Sequence, residues 1–238
     1  MDVVVYEGPS ELNGKPIVAI VTGLVTPSTN RKTGPMAQLW ILDATTEPHV
    51  AVKTGEDESV CGDCPARNKW CYVTTFQGPL SIYRTWKRGG YTKDTDHPEA
   101  ARSLLRRCVL RFGAYGDPAA IPTETLHKLG RLVDRFTGYT HAWKYCDPAI
   151  KSYCMASVDT LDDQRKASAD GWRTFRVAGG DQTRQRGESI CPASEEAGQL
   201  ITCFDCGACD GRRRPRVKSN IVIMAHGAKT KRFLEEFA

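Results

Sequence analysis

Residues 109–143 read VLRFGAYGDPAAIPTETLHKLGRLVDRFTGYTHAW. VLRFGAY (109–115) is a β-branched and aromatic run that halts at Gly116-Asp117-Pro118, a turn signal. Thr123–Phe136 then sets apolar residues at 126, 129, 132, 133 and 136, the period of a helix. GYTHAW (138–143) reads as the next strand. Strand, helix and strand in that order predict a parallel βαβ unit.

Outward from this stretch the alternation continues. SYCMASV (152–158) reads as a strand and Leu161–Asp170 as a polar helix closed by Gly171. WRTFRVA (172–178), ESICPA (188–193) and NIVIMAHG (220–227) read as strands, and Lys229–Phe237 as a terminal helix. Upstream, Pro79–Arg88 and Pro98–Arg107 each begin with proline at the first helical position. A complete eight-fold barrel usually needs about 250 residues, so the expected fold is α/β, a reduced or partial (β/α) barrel. An open doubly wound sheet is the alternative, without G-x-G-x-x-G or a P-loop to support it.

The first 58 residues differ. VVVYEG, PIVAIVTG, AQLWILD and HVAVKTG are short strand-like runs separated by the turn-rich ELNGK, TPSTNRKTGP and ATTEP. They predict a small N-terminal antiparallel β sheet, residues 1–58, joined to a cysteine-rich barrel-like domain, 59–238. In the polar loop Thr26–Pro35, Asn30 and Lys32 are candidates for contacting an anionic substrate, with a solvated hairpin loop as the plain alternative.

The chain carries 33 Lys+Arg against 28 Asp+Glu, a formal charge of +5, and 40% hydrophobic residues. It is too basic for an acidic disordered segment and has no apolar run of about 18 residues. No signal-peptide pattern opens it, so a cytoplasmic location, with no membrane, is expected. In a reducing compartment ten cysteines point to metal or redox chemistry rather than disulfides.

Seven of the ten cysteines fall in two groups. Cys203, Cys206 and Cys209 form C-x2-C-x2-C, with Cys191 upstream as a fourth ligand; four thiolates suit an iron–sulfur cluster or tetrahedral zinc. Cys61, Cys64 and Cys71 form C-x2-C-x6-C. Three thiolates leave a coordination position open, as a catalytic centre needs, unless Cys108, Cys146, Cys154 or a His completes a structural site.

In parallel α/β folds chemistry gathers at the C-terminal ends of strands. Those ends carry Tyr115, Gly116, Asp117, His141, Asp159, Arg176 and His226. Asp117, His141 and Asp159 are the candidate catalytic residues; Tyr115, Gly116 and Arg176 join Asn30 and Lys32 as candidate substrate contacts. Asp117 before Pro118 has a plainer role as a turn cap, and Asp159 before Thr160 as a helix cap.

CGDCPARNKWCYV, RFGAYGDPAAIP, TGYTHAW, ICPASEEAG and TCFDCGACDG together resemble a phage-encoded cysteine-rich barrel family. More remotely, a cysteine loop followed by Gly116-Asp117-Pro118 is similar to radical-SAM barrels. That resemblance implies S-adenosylmethionine as a cofactor, with Asp117 near its amino group. Radical-SAM enzymes carry C-x3-C-x2-C, however, where this chain has C-x2-C-x6-C. Cys203, Cys206 and Cys209 with His226 also resemble the zinc site of guanine and deazaguanine transglycosylases, in which Asp117 or Asp159 would be the nucleophile; that family has C-x-C-x2-C.

Arg212, Arg213, Arg214, Arg216 and Lys218 follow the second cysteine group, and Arg102, Arg106, Arg107 and Arg111 add charge around one predicted helix. Such runs supply phosphate contacts. Trp70, Trp86, Trp143 and Tyr139 are candidates for base stacking or, more commonly, core packing. The leading expectation is an iron–sulfur enzyme modifying a nucleobase or nucleotide. The alternatives are a zinc-containing base-exchange enzyme acting on DNA or RNA and a non-catalytic, metal-stabilised nucleic-acid-binding protein.

Overall fold

A computed structural model describes residues 1–179, 184–198, 201–211, 219–227 and 229–237. The basic run at 212–218 and most of GGDQT (179–183) lie outside the described residues.

Strands β1 (Val3–Pro9), β2 (Pro16–Thr22) and β3 (Ala37–Asp43) form the expected antiparallel meander, with Val3 opposite Val21 and Ile17 opposite Asp43. β2 and β3 are buried almost end to end, which explains their unbroken apolar runs. HVAVKTG is not a strand. Helix α1 spans Pro48–Thr54, with proline in its first turn and Gly55 left-handed at its C-cap. Pro48 and Ala51, three apart, turn inward, and these end signals outweigh the β preference of Val50 and Val52.

The short helix α2 (Glu58–Cys61) opens the cysteine segment, followed by α3 (Gly78–Lys87), strand β4 (Thr92–Lys93) and α4 (Pro98–Leu105). β5 (Val109–Tyr115) leads into α5 (Thr123–Leu132). α5 stops before Phe136 because Val133 turns extended. Phe136 is then free to join β6 (Arg135–Thr137) and pack on Phe112, ring centroids 5.0 Å apart. β7 (Tyr139–Thr140) is shorter than expected: the Thr140 hydroxyl accepts from the Ala142 N–H at 3.0 Å and starts a 3-10 turn over Ala142–Lys144. β8 (Met155–Val158), α6 (Leu161–Ala169), β9 (Thr174–Ala178), β10 (Glu188–Ile190), α7 (Cys203–Cys206), β11 (Asn220–Met224) and α8 (Thr230–Phe237) complete the described elements.

The first sheet has the order β4-β1-β2-β3-β5-β6 and the second β10-β11-β9-β8-β7. The antiparallel meander is thus not a sheet of its own: β3 pairs in parallel with β5, and β5 with β6. Every pairing in the second sheet is parallel. Gly138 alone separates β6 from β7, so the chain passes from one sheet to the other there. A Cβ on Gly138 would lie 2.7 Å from Cys154 Sγ and 2.9 Å from the Tyr153 carbonyl. The fold is mixed α/β with parallel sheets and helices; among the described residues the strands do not close into a barrel. No described helix is long and apolar enough to cross a membrane.

The main core runs from Val3 through Leu110, Phe112 and Phe136 to Val158 and Trp172. A smaller core lies on the opposite face of the second sheet, where Met155, Ile221 and Ile223 pack with Cys191 and Cys209, flanked by Tyr139, Phe175 and Val177. Strand alternation divides the two: Met155 faces the smaller core, Ala156 and Val158 the main one.

Candidate functional site

The C-terminal ends of the parallel strands meet the first cysteine segment. β5 ends in Gly116, at φ 82°, where a Cβ would sit 2.6 Å from the Ile41 carbonyl oxygen. Only glycine turns there without displacing β3. The turn directs Asp117 inward. One carboxylate oxygen accepts from the Ala119 N–H at 2.9 Å and the other from the His141 N–H at 2.8 Å, while the Asp117 N–H donates to the Val60 carbonyl at 2.6 Å. Burial, the largest influence, raises the carboxyl pKa of Asp117 against the hydrogen bonds that oppose it. Asp117 therefore caps its turn and ties together the ends of β5 and β7 and helix α2.

α2 ends at Cys61, and Arg67 fixes the segment beyond it. Its guanidinium pairs with Asp57 at 2.6 and 3.1 Å and donates to the carbonyls of Gly62 and Gly55 at 2.7 and 3.0 Å. The Cys64 N–H donates to the Cys61 carbonyl, and that of Cys71 to Ala66. Cys64 Sγ then lies 3.5 Å from His141 Nδ1, and His141 Nε2 lies 3.7 Å from Asp159 Oδ2. Thr160, not Asp159, caps helix α6, accepting from the Asp163 N–H at 3.1 Å. That leaves the buried Asp159 carboxylate to His141. Burial alone would lower the His141 pKa, but hydrogen bonds with Asp159 and Cys64 and their charges lift it well above the ordinary value. Burial and the negative charges of Cys64, Asp57, Cys71 and Asp117 push the Cys61 thiol well up, and burial foremost raises Cys71. The buried Tyr115 hydroxyl, which senses Cys61 and Cys71, has no hydrogen-bond partner among the described residues.

The second thiol group rests on the smaller core. Thr202 and Asp205 form a reciprocal capping box at the start of α7, and Gly207 is left-handed at its end. Cys191 follows β10, and its N–H donates to the Val222 carbonyl at 2.8 Å. Burial first, then the charges of Cys191, Cys203 and Cys206, raise the Cys209 thiol. The loop after Cys209 is held by buried Arg173, which pairs with Asp210 at 3.3 Å and donates to the carbonyls of Gly211, Ala208 and Ser219 at 2.7, 2.9 and 3.0 Å. At its other end α7 grips the polar loop: Cys203 N–H donates to the Lys32 carbonyl at 2.9 Å and Phe204 N–H to Thr33 at 3.0 Å. Each group thus gathers its thiols within electrostatic reach, although among the described residues no three His, Cys, Asp or Glu side chains already converge as a metal-holding set.

Other expected residues are placed differently. Asn30 uses its side-chain oxygen on the N–H groups of Lys32 and Thr33, shaping its own loop. Lys32 Nζ meets His226 Nε2 at 3.1 Å, while His226 Nδ1 lies 2.8 Å from the Met224 carbonyl. His226 is therefore turned to Lys32 rather than to the thiols. Arg176 is fully buried and pairs with Glu188 at 2.7 and 2.8 Å, away from the strand-end residues. Trp70 packs edge-on against Phe233 and Phe237 of α8, and Trp143 is buried in the main core.

The stapling arginines Arg67 and Arg173 were not legible as site residues. The terminal helix α8 is found where expected, but its place over the first cysteine segment was not legible: Lys229, just before it, donates to the Cys71 carbonyl, and Lys69 pairs with Glu236 at 2.6 Å. Comparison with protein-family models, with curated proteins and with solved structures finds no match for the chain.

Proposed function

We propose that the chain is an iron–sulfur enzyme acting on a nucleotide or nucleobase, with its working centre at Cys61, Cys64 and Cys71. The observation that carries this reading is the 3.5 Å contact between Cys64 Sγ and His141 Nδ1, which joins the cysteine segment to the strand-end residues. The residue types suit such a group: Cys64 and Cys71 act to raise the buried Cys61 thiol and Cys64 to raise Cys71, and a cation among the three would instead favour their thiolates. The unpartnered Tyr115 hydroxyl is a ready donor to a thiolate sulfur.

Cys61, Cys64 and Cys71 would hold the cluster, which when bound would supply one-electron chemistry. The chain's own residues provide the rest. His141 shares a proton between the Cys64 side and Asp159, and Asp117 fixes the backbone on which His141 stands. Cys191, Cys203, Cys206 and Cys209 would hold a second, closed site; His226, engaged with Lys32, is a poorer fourth ligand than Cys191. We further read the parallel run β3-β5-β6, continued by β7-β8-β9-β11-β10, as a partial barrel with the smaller core on its inner face.

A non-catalytic, metal-stabilised binding protein is the second reading, favoured by the full occupation of Asp117 in caps. The discriminating experiment is electron paramagnetic resonance of the anaerobically purified protein with and without S-adenosylmethionine. An iron–sulfur signal altered by the nucleoside supports the enzyme. Stoichiometric zinc without iron, and no effect of the nucleoside, would contradict it.

A further inference from the structure

Arg111 stands on β5 facing away from Leu110 and Phe112, on the side occupied by Tyr139 and Cys203. One of its terminal nitrogens donates to the Tyr72 hydroxyl, and its Nε is buried without a partner among the described residues. No carboxylate pairs with it among the described residues. A guanidinium carries five donors in a planar fork, so further terminal donors remain for a ligand. Lys32 approaches the same place: the Cys203 N–H donates to the Lys32 carbonyl at 2.9 Å, and both Arg111 and Lys32 act on the Cys203 thiol. Lys32 is held there by the α7 hydrogen bond to its carbonyl and by His226. Glu196 feels the charges of His226 and Lys32.

Tyr72 connects this cationic place to the first thiol group. It directly follows Cys71, its hydroxyl is held by Arg111, and its side chain is 71% exposed. A large aromatic ring left open beside a charged fork suits a ligand with a flat face and an anionic end.

We propose that Arg111 and Lys32 bind the phosphate of a nucleotide unit whose base stacks on Tyr72, so that the substrate lies between the two thiol groups. Arg111 takes two phosphate oxygens side by side, and Lys32 neutralises the remaining charge. The phosphate belongs either to a free nucleotide or to a nucleic-acid strand. This substrate assignment rests on the reading that the face between the thiol groups is the working face.

The test is titration of the full chain, purified anaerobically, with inorganic phosphate, adenosine 5′-monophosphate and a short single-stranded oligonucleotide lacking terminal phosphates, with metal content measured on the same samples. Arg111→Gln should weaken phosphate and nucleotide binding about tenfold or more. Tyr72→Ala should weaken the nucleotide but much less the inorganic ion. Binding of the oligonucleotide as tightly as the nucleotide assigns the phosphate to a strand; weaker binding assigns it to a free nucleotide. If Arg111→Gln does not fold, Lys32→Gln, at a half-buried loop position, must show the loss instead. Equal affinity in wild type and in the folded variants, or no binding by wild type, overturns the proposal. Phosphate binding in a protein without iron would uphold this site and remove the cluster reading.

Discussion

The Asp117 carboxylate accepts the backbone N–H of His141 at 2.8 Å, fastening the turn after β5 to the end of β7. The second oxygen accepts from the Ala119 N–H, so the side chain holds His141 in register with Cys64. Asp117→Ala leaves two backbone donors without this acceptor and should cost about 1–3 kcal/mol. Asp117→Asn, which keeps one acceptor oxygen, should cost less. Urea denaturation of the three proteins checks the order, and equal midpoints would refute the positioning role.

Arg173 should matter to the second thiol group though it touches none of its sulfurs. It binds Asp210 and three loop carbonyls in a buried setting. Arg173→Met should destabilise the chain by about 1–3 kcal/mol or more, because three loop carbonyls and the Asp210 carboxylate lose a buried donor. Arg173→Lys should recover only part of this, since an ammonium cannot span the same acceptors. Thermal melts of both variants measure it; full recovery by lysine would show that charge alone suffices.

Gly116→Ala tests the turn that presents Asp117. With φ at 82° and a Cβ only 2.6 Å from the Ile41 carbonyl oxygen, alanine forces β3 and β5 apart. The expected loss is about 1–3 kcal/mol or more. A variant as stable as wild type in denaturant would contradict the close approach.

The buried Glu188 gives the fold an acid dependence. Burial, the largest influence, raises its pKa, but hydrogen bonds from Arg176, the Gln185 N–H and Gln164, with the Arg176 charge, bring it below the ordinary value. A depressed carboxyl favours the folded state above its unfolded pKa, about 4.3, and that stability is lost as pH falls through the folded value. Unfolding free energy should therefore decline below about pH 4.3, with a shallower decline in Glu188→Gln. Denaturation midpoints across that range test this, and identical slopes would rule Glu188 out as a source.

Much of the frame was legible because its signals are local. Strand β5 follows from its β-branched run and α5 from one helical period, and the antiparallel pairing of β1 to β3 from turn-rich breaks; β6 stayed hidden because Phe136 fits the same helical period. HVAVKTG misled because its valines alternate like a strand, while Pro48 and Gly55 decided for helix α1. In the site, cysteine spacing and the strand-end rule named Cys64, His141 and Asp159 before their contact was known. What stayed hidden depends on partners distant in sequence. Lys32 meets His226, 194 residues away, and Arg173 serves a loop beyond Ala208. Arg176, at a strand end like the others, faces Glu188 because strand alternation turns it from the smaller core. Arg67 and Arg173 look in the sequence like any surface arginine.

The central claim is that two separate cysteine groups hold metal, the first of them through three thiolates. Iron, acid-labile sulfide and zinc per chain, measured on anaerobically purified wild type and Cys71→Ala, test it most directly. The account predicts iron and sulfide in wild type and a partial loss in Cys71→Ala, with the share held by Cys191, Cys203, Cys206 and Cys209 retained. A well-folded wild-type chain without metal, or a Cys71→Ala chain with undiminished metal, would contradict it.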